Sequence, residues 1–117
     1  MAPAVERTVL VVDHDPILLR TLVRALERGG YSVLAAPNGQ AALAVARSTE
    51  VGVVIADVPL PDMSGSDLAE ELHCRCPSLH VGLITRSSPD ELAVDHDATE
   101  ALYPPSRIVE LAGALLG

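Results

Sequence analysis

The sequence predicts a single α/β domain built on a five-stranded parallel sheet with helices on both faces. Three observations carry that expectation. Short, uninterrupted apolar runs alternate with amphipathic stretches, and uninterrupted hydrophobicity is what a strand buried on both faces requires. At 117 residues the chain is long enough for one core and too short for two domains. Its 49% hydrophobic content excludes a disordered tail. No repeat, linker or low-complexity tract divides it, so residues 1–117 are expected to form one domain with its core at about 7–116.

Val9-Leu10-Val11-Val12 reads as the first strand and runs into Asp13. Asp15 and Pro16 then open a helix, as N-cap and first helical residue. Leu18, Leu22, Ala25 and Leu26 recur at helical spacing, and Gly29-Gly30 supplies the stop. Tyr31 to Ala36 reads as a second strand, and Asn38 caps an alanine-rich helix through Arg47. Val51 to Ala56 is the third strand and also ends in an aspartate, Asp57. The loop Pro59-Leu60-Pro61-Asp62-Met63-Ser64-Gly65 leads into a helix from about Ser66 to Cys74, which Pro77 breaks. Val81 to Thr85 is the fourth strand. Pro89 to Val94 makes at most a short helix, and Ala101 to Tyr103 a short fifth strand. Ile108, Leu111, Ala112 and Leu115 form the apolar stripe of a last helix.

Composition excludes several classes of function. The formal charge is −8 and no stretch is basic, so the footprint of a nucleic-acid binder is missing. Tyr31 and Tyr103 are the whole aromatic complement, too few for a base-stacking platform. All eight basic residues are arginine, and the chain has no lysine. Cys74 and Cys76 lie too close for an easy mutual disulfide, which fits a reducing compartment. No apolar run approaches the ~20 residues of a membrane span. The first residues, Met1 to Arg7, lack a signal-peptide apolar core. The expectation is a cytoplasmic domain that binds neither nucleic acid nor membrane directly.

In open parallel sheets, ligands bind beyond the carboxyl ends of the strands, where the strand order reverses. Those ends carry Asp13, Asp57 and Thr85 here. Neighbouring carboxylates repel unless a cation or proton joins them, and hard oxygen ligands suit Mg²⁺, which keeps several waters and bridges to phosphate. A carboxylate also serves as a nucleophile that forms an aspartyl-phosphate. Phosphoryl transfer then needs in-line placement and charge stabilisation, to which a hydroxyl such as that of Thr85 contributes. One aspartate at a strand end reads most simply as a cap for the next turn; two of them with Thr85 read as a site.

At these residues the chain resembles response-regulator receiver domains of bacterial phosphorelays. The anchors are Val9-Leu10-Val11-Val12-Asp13, Gly30-Tyr31-Ser32-Val33 and Ala56-Asp57-Val58-Pro59-Leu60-Pro61-Asp62-Met63-Ser64-Gly65. Leu83-Ile84-Thr85 and Pro105 complete a match that spans Val9 to Leu116. The resemblance implies a flavodoxin-like (βα)5 fold with strand order 2-1-3-4-5. It implies a signalling switch and not an enzyme. Asp57 would be the phospho-acceptor and Thr85 the switch hydroxyl. The metal, Mg²⁺ or Mn²⁺, would sit at Asp13, Asp57 and the backbone carbonyl of Pro59, with His14 as a further ligand. The implied partner is a histidine kinase or phosphotransfer protein; a second copy of the chain or an effector domain is a further candidate.

The chemistry departs from that family in five places. His14 stands where a second acidic ligand is usual, and Pro104 replaces the lysine before Pro105. Ala101 replaces an aromatic switch residue, and Arg86 a small residue after the hydroxyl. The segment from Thr85 to Ala98 is about three residues short. Losing the lysine removes a cation of a kind worth ~10³-fold or more in other phosphoryl-transfer systems. An imidazole suits Zn²⁺, Mn²⁺ or Ni²⁺ better than it suits Mg²⁺. Arg86 reads as a solvent-facing loop residue, as a surrogate cation, or as a guanidinium leaning on Asp57. Resemblance also implies a cis Pro104–Pro105 bond, which an X-Pro bond tolerates at about 0.5–1 kcal/mol.

These departures leave an alternative open: a pseudo-receiver that acts as a phosphorylation-independent interaction module. A third reading is a small metal-binding protein using His14. The grouping of His73, Cys74, Cys76 and His80 lacks zinc-type paired CxxC spacing and reads as coincidence. The acidic run Asp90, Glu91, Asp95, Asp97 and Glu100 reads as a solvated face.

Overall fold

The computed structural model describes residues 8–84, 102–103 and 112–113. The expectations for Thr85, Arg86, Ala101, the Pro104–Pro105 bond, the short helix at Pro89–Val94 and most of the last helix lie outside the described residues. Within them the chain runs β1 (Thr8–Val12), α1 (Pro16–Arg28), β2 (Ser32–Ala36), α2 (Gly39–Ser48), β3 (Val53–Asp57), α3 (Gly65–Arg75), β4 (His80–Ile84) and β5 (Leu102–Tyr103). The strands form one parallel sheet in the order β2-β1-β3-β4-β5. This is the expected doubly wound arrangement.

The uninterrupted hydrophobic runs have the expected cause. Every residue of β1 and β3 is buried, because each strand feeds two cores. Leu10, Val12, Val54 and Ala56 pack with Ala42, Leu43, Leu68 and Leu72 on the side of α2 and α3. The alternate residues Val9, Val11, Val53 and Ile55 pack with Leu22 and Leu26 of α1 on the other side. Pleating sends successive side chains to opposite faces, so a strand with an apolar layer on each side can have no polar parity. β2, at the sheet edge, is only partly buried.

Local chemistry explains the helix ends. The Asp15 carboxylate accepts from the N–H groups of Ile17 and Leu18 at 3.0 and 3.3 Å, which caps α1 as its position predicts. At the other end, Gly30 has φ 95°, a left-handed conformation natural to glycine. Around it the Tyr31 N–H donates to the Leu26 carbonyl at 3.2 Å and the Gly30 N–H to that of Glu27 at 3.0 Å. With its N–H committed to closing α1, Tyr31 stays out of β2, which begins one residue later than expected. α3 begins one residue earlier than expected, because Ser64 is its cap and accepts from the Asp67 N–H at 3.0 Å.

The start of α2 is fastened from a distance. Asn38 caps it through the Ala41 N–H at 2.8 Å. Asp62, in the loop after β3, accepts from the Gly39 N–H at 2.8 Å and from the Gln40 N–H at 2.9 Å. Three N–H groups that the helix itself cannot satisfy are thereby engaged. The hydrogen bond from Gly39, followed by that from Gln40, holds the Asp62 carboxyl below the ordinary carboxylate range. The same loop is pressed onto β3 at Gly65, whose N–H donates to the Val58 carbonyl at 2.6 Å. A Cβ at position 65 would lie 2.6 Å from the Asp57 backbone oxygen, so only glycine fits there without a shift.

Two outcomes follow from this fastening. A carboxyl whose folded value is depressed contributes stability above its unfolded value, about pH 4, and loses it as pH falls through the lower folded value. Asp62→Ala should therefore speed amide exchange at Gly39 and Gln40 at neutral pH, and the wild type should approach the variant's exchange only on acidification below about pH 4. Gly65→Ala should cost about 1–3 kcal/mol in denaturant unfolding, the usual range for overpacking.

Candidate functional site

Sheet register brings the two strand-end aspartates together. β1 and β3 pair with Val11 opposite Ile55 and Val12 opposite Ala56. One step further along both strands lie Asp13 and Asp57. They continue the pleat parity of Val9, Val11, Val53 and Ile55, so both belong to the same face of the sheet. Adjacent strands are about 4.8 Å apart, which sets the scale of their separation. Both are buried, at 0% and 1% exposure, although aspartate is almost never fully buried without a partner.

Backbone donors aim Asp13. Its N–H donates to the Ala36 carbonyl at the end of β2 at 3.1 Å, and its Oδ1 accepts from the Asp15 N–H at 2.9 Å. Asp15 thus works at both ends: its N–H orients Asp13 while its carboxylate starts α1. His14, between them, is half-exposed, with Nδ1 4.0 Å from Asp13 Oδ1. One ligand atom from each of Asp13, His14 and Asp57 lies within 4.8 Å of the others, and among the described residues this is the one such grouping of three. Pro59 is exposed two residues past Asp57, at the mouth of the loop where it bridges to Ser64. Leu60 closes that loop by donating to the Met63 carbonyl at 3.1 Å.

Asp13, His14 and Asp57 are therefore gathered from three positions that sequence reading selected. Thr85 lies outside the described residues; Ile84, just before it, pairs with Asp57 in the β3–β4 register, and its carbonyl accepts from the Val58 N–H at 3.2 Å. His73, Cys74, Cys76 and His80 form no such cluster. His73 Nε2 lies 2.8 Å from the Leu79 carbonyl, and both cysteines are free and exposed. Sequence reading assigned no role to Asp62, nor to the backbone N–H of Asp15. Asp62 carries no local signal, because its partners Gly39 and Gln40 precede it by more than 20 residues.

Two carboxylates withdrawn from water side by side repel, and each carries a desolvation cost that an adjacent cation offsets. Oxygen and nitrogen donors at this spacing fit a small divalent ion. The pocket therefore combines a metal-type donor set with a buried carboxylate at the end of β3.

The family model for the response regulator receiver domain matches residues 9–111. The chain is 36% identical over 109 residues to the transcriptional regulatory protein KdpE of Mycobacterium tuberculosis, covering 92% of this chain and 48% of that protein. It is 44% identical over 78 residues to the probable transcriptional regulatory protein TcrX of the same species, covering 67% and 33%. The chain thus spans half or less of the length of these curated relatives. Among solved structures, a CheY-like receiver domain from Methanospirillum hungatei superposes with TM-score 0.78 at 25% identity, covering 94% of this chain and 93% of that one. The response regulator TrrA from Thermotoga maritima, solved in complex with Mg²⁺-BeF, superposes with TM-score 0.76 at 28% identity, covering 93% and 96%. Receiver domains are signalling modules that work with histidine kinases and effector domains. With the family match running from β1 to beyond β5, this chain belongs to the response regulator receiver domains of two-component signalling.

Proposed function

We propose that Asp57 is the residue that accepts the phosphoryl group, from a histidine kinase or a phosphotransfer protein. The observation that carries this reading is the burial of Asp57 at the carboxyl end of β3, beside Asp13 and ahead of a loop held down at Gly65. An Asp57 carboxylate oxygen attacks phosphorus, the oxygen–phosphorus bond forms, and the bond from phosphorus to the donor's imidazole nitrogen breaks with its electron pair. Asp13 and Asp57, the Pro59 carbonyl and His14 are the groups that would hold a divalent metal, Mg²⁺ or Mn²⁺. Such an ion, when bound, supplies charge neutralisation to the phosphoryl oxygens. Thr85 is the proposed hydroxyl donor to one of those oxygens.

The similarities favour this reading over a phosphorylation-independent interaction module. A kinase or phosphotransfer protein, an effector domain and a cytoplasmic location are proposed from the family; no described helix is long and apolar enough to cross a membrane. With no lysine in the chain, the acyl phosphate lacks the fixed cation usual in the family.

Incubation with acetyl phosphate and, in separate runs, Mg²⁺, Mn²⁺ or Zn²⁺, followed by peptide mass spectrometry, should place a single phosphoryl group on the Asp57 peptide, with slower formation or a shorter lifetime than in a lysine-bearing receiver. A phosphoryl group elsewhere, or none, overturns the assignment. Metal-linked stability gives an independent check, read in the Asp13→Asn variant. The same variant should lose most of the ion-induced rise in melting temperature, which for the wild type at 100-fold excess over Kd corresponds to about 2.7 kcal/mol.

A further inference from the structure

We propose that His14 makes this pocket selective for Zn²⁺ over Mg²⁺. The proposal rests on the reading of the pocket as a metal-assisted acceptor site and assigns its ion. The turn between β1 and α1 offers the pocket one carboxylate, from Asp13. The next carboxylate along, Asp15, is engaged with the N–H groups of Ile17 and Leu18 at the start of α1. The side chain left between them is an imidazole, half-exposed, with Nδ1 4.0 Å from Asp13 Oδ1.

Mg²⁺ demands near-ideal octahedral oxygen coordination and parts with its waters reluctantly, so a nitrogen donor gains it little. Zn²⁺ takes imidazole nitrogen and carboxylate oxygen together at about 2.0–2.2 Å, commonly from three protein groups with a fourth position open. Asp13, His14 and Asp57 are such a trio. Tetrahedral ligands at those lengths lie about 3.4 Å apart. The three ligand atoms lie within 4.8 Å of one another and His14 Nδ1 4.0 Å from Asp13 Oδ1, so binding draws them in by up to about 1.4 Å, to which rotation of the half-exposed His14 side chain contributes.

The test is direct binding by chelator competition, using the full chain with Cys74→Ser and Cys76→Ser to remove the exposed thiols as competing ligands. Zn²⁺ should bind tightest, Mn²⁺ less tightly and Mg²⁺ weakest. Loss of a metal-bound histidine's outer partner alone costs about 10–100-fold in affinity, so His14→Ala should weaken Zn²⁺ by at least about tenfold and Mg²⁺ by clearly less. His14→Asp should invert the preference towards Mg²⁺. Co²⁺ loaded in place of Zn²⁺ should give visible absorption that His14→Ala alters. Tightest binding of Mg²⁺ by the wild type, or unchanged Zn²⁺ affinity and Co²⁺ spectrum in His14→Ala, overturns the proposal. Phosphorylation of Asp57 is read separately by mass spectrometry. Phosphorylation without zinc selectivity sinks only the proposal about His14; selective zinc binding without phosphorylation sinks the acceptor reading and leaves the ion assignment intact.

Discussion

The register between β1 and β3 is the constraint on which the rest of the site depends. Both strands are buried on both faces, so a slip of one residue would move each apolar set onto the opposite core. The pairing of Val11 with Ile55 is pinned by that double burial. Its consequence two residues later is that Asp13 and Asp57 come to rest side by side, out of water and on one face. The register sets where both aspartates stand, and the Asp15 N–H then orients Asp13. Packing energy spread over the apolar layers places two charges where charge is costly, and the cost is what disposes the pocket to bind a cation.

Around this pair, the loop after β3 does a second job. Gly65 lies against the backbone of Asp57, and Asp62 reaches across to the first N–H groups of α2. Asp57, the loop that follows it and the start of a helix on one face are therefore one connected unit of hydrogen bonds and close contact.

Receiver chemistry in this chain is balanced differently from the family pattern. The frame is retained: sheet order, buried aspartate pair, proline-rich loop and its glycine. The cations and ligands around it are changed, since the chain contains no lysine and places His14 in the turn after β1. Fewer fixed positive charges would leave more of a phosphoryl group's stabilisation to a bound ion, and an imidazole suits softer ions than a carboxylate does.

The sequence by itself determined the sheet, the starts of α1 and α2 and the two aspartates at the strand ends. Uninterrupted apolar runs, Asp15-Pro16, Asn38 and Gly29-Gly30 are local signals, each read from neighbours within a few residues, and each reappears in β1, α1, α2 and the turn before β2. The pairing of Asp13 with Asp57 was legible only because a parallel sheet with known strand order brings consecutive odd-numbered ends together. Tertiary structure alone decided what Asp62 does, because its partners are distant in sequence and its side chain looks like that of any loop aspartate. It alone decided that Gly65 admits no side chain, since the obstacle is the backbone oxygen of Asp57, eight residues earlier. Position 14 falls between the two: the sequence shows a histidine beside an aspartate, but its nearness to Asp57 belongs to the register of two strands more than 40 residues apart.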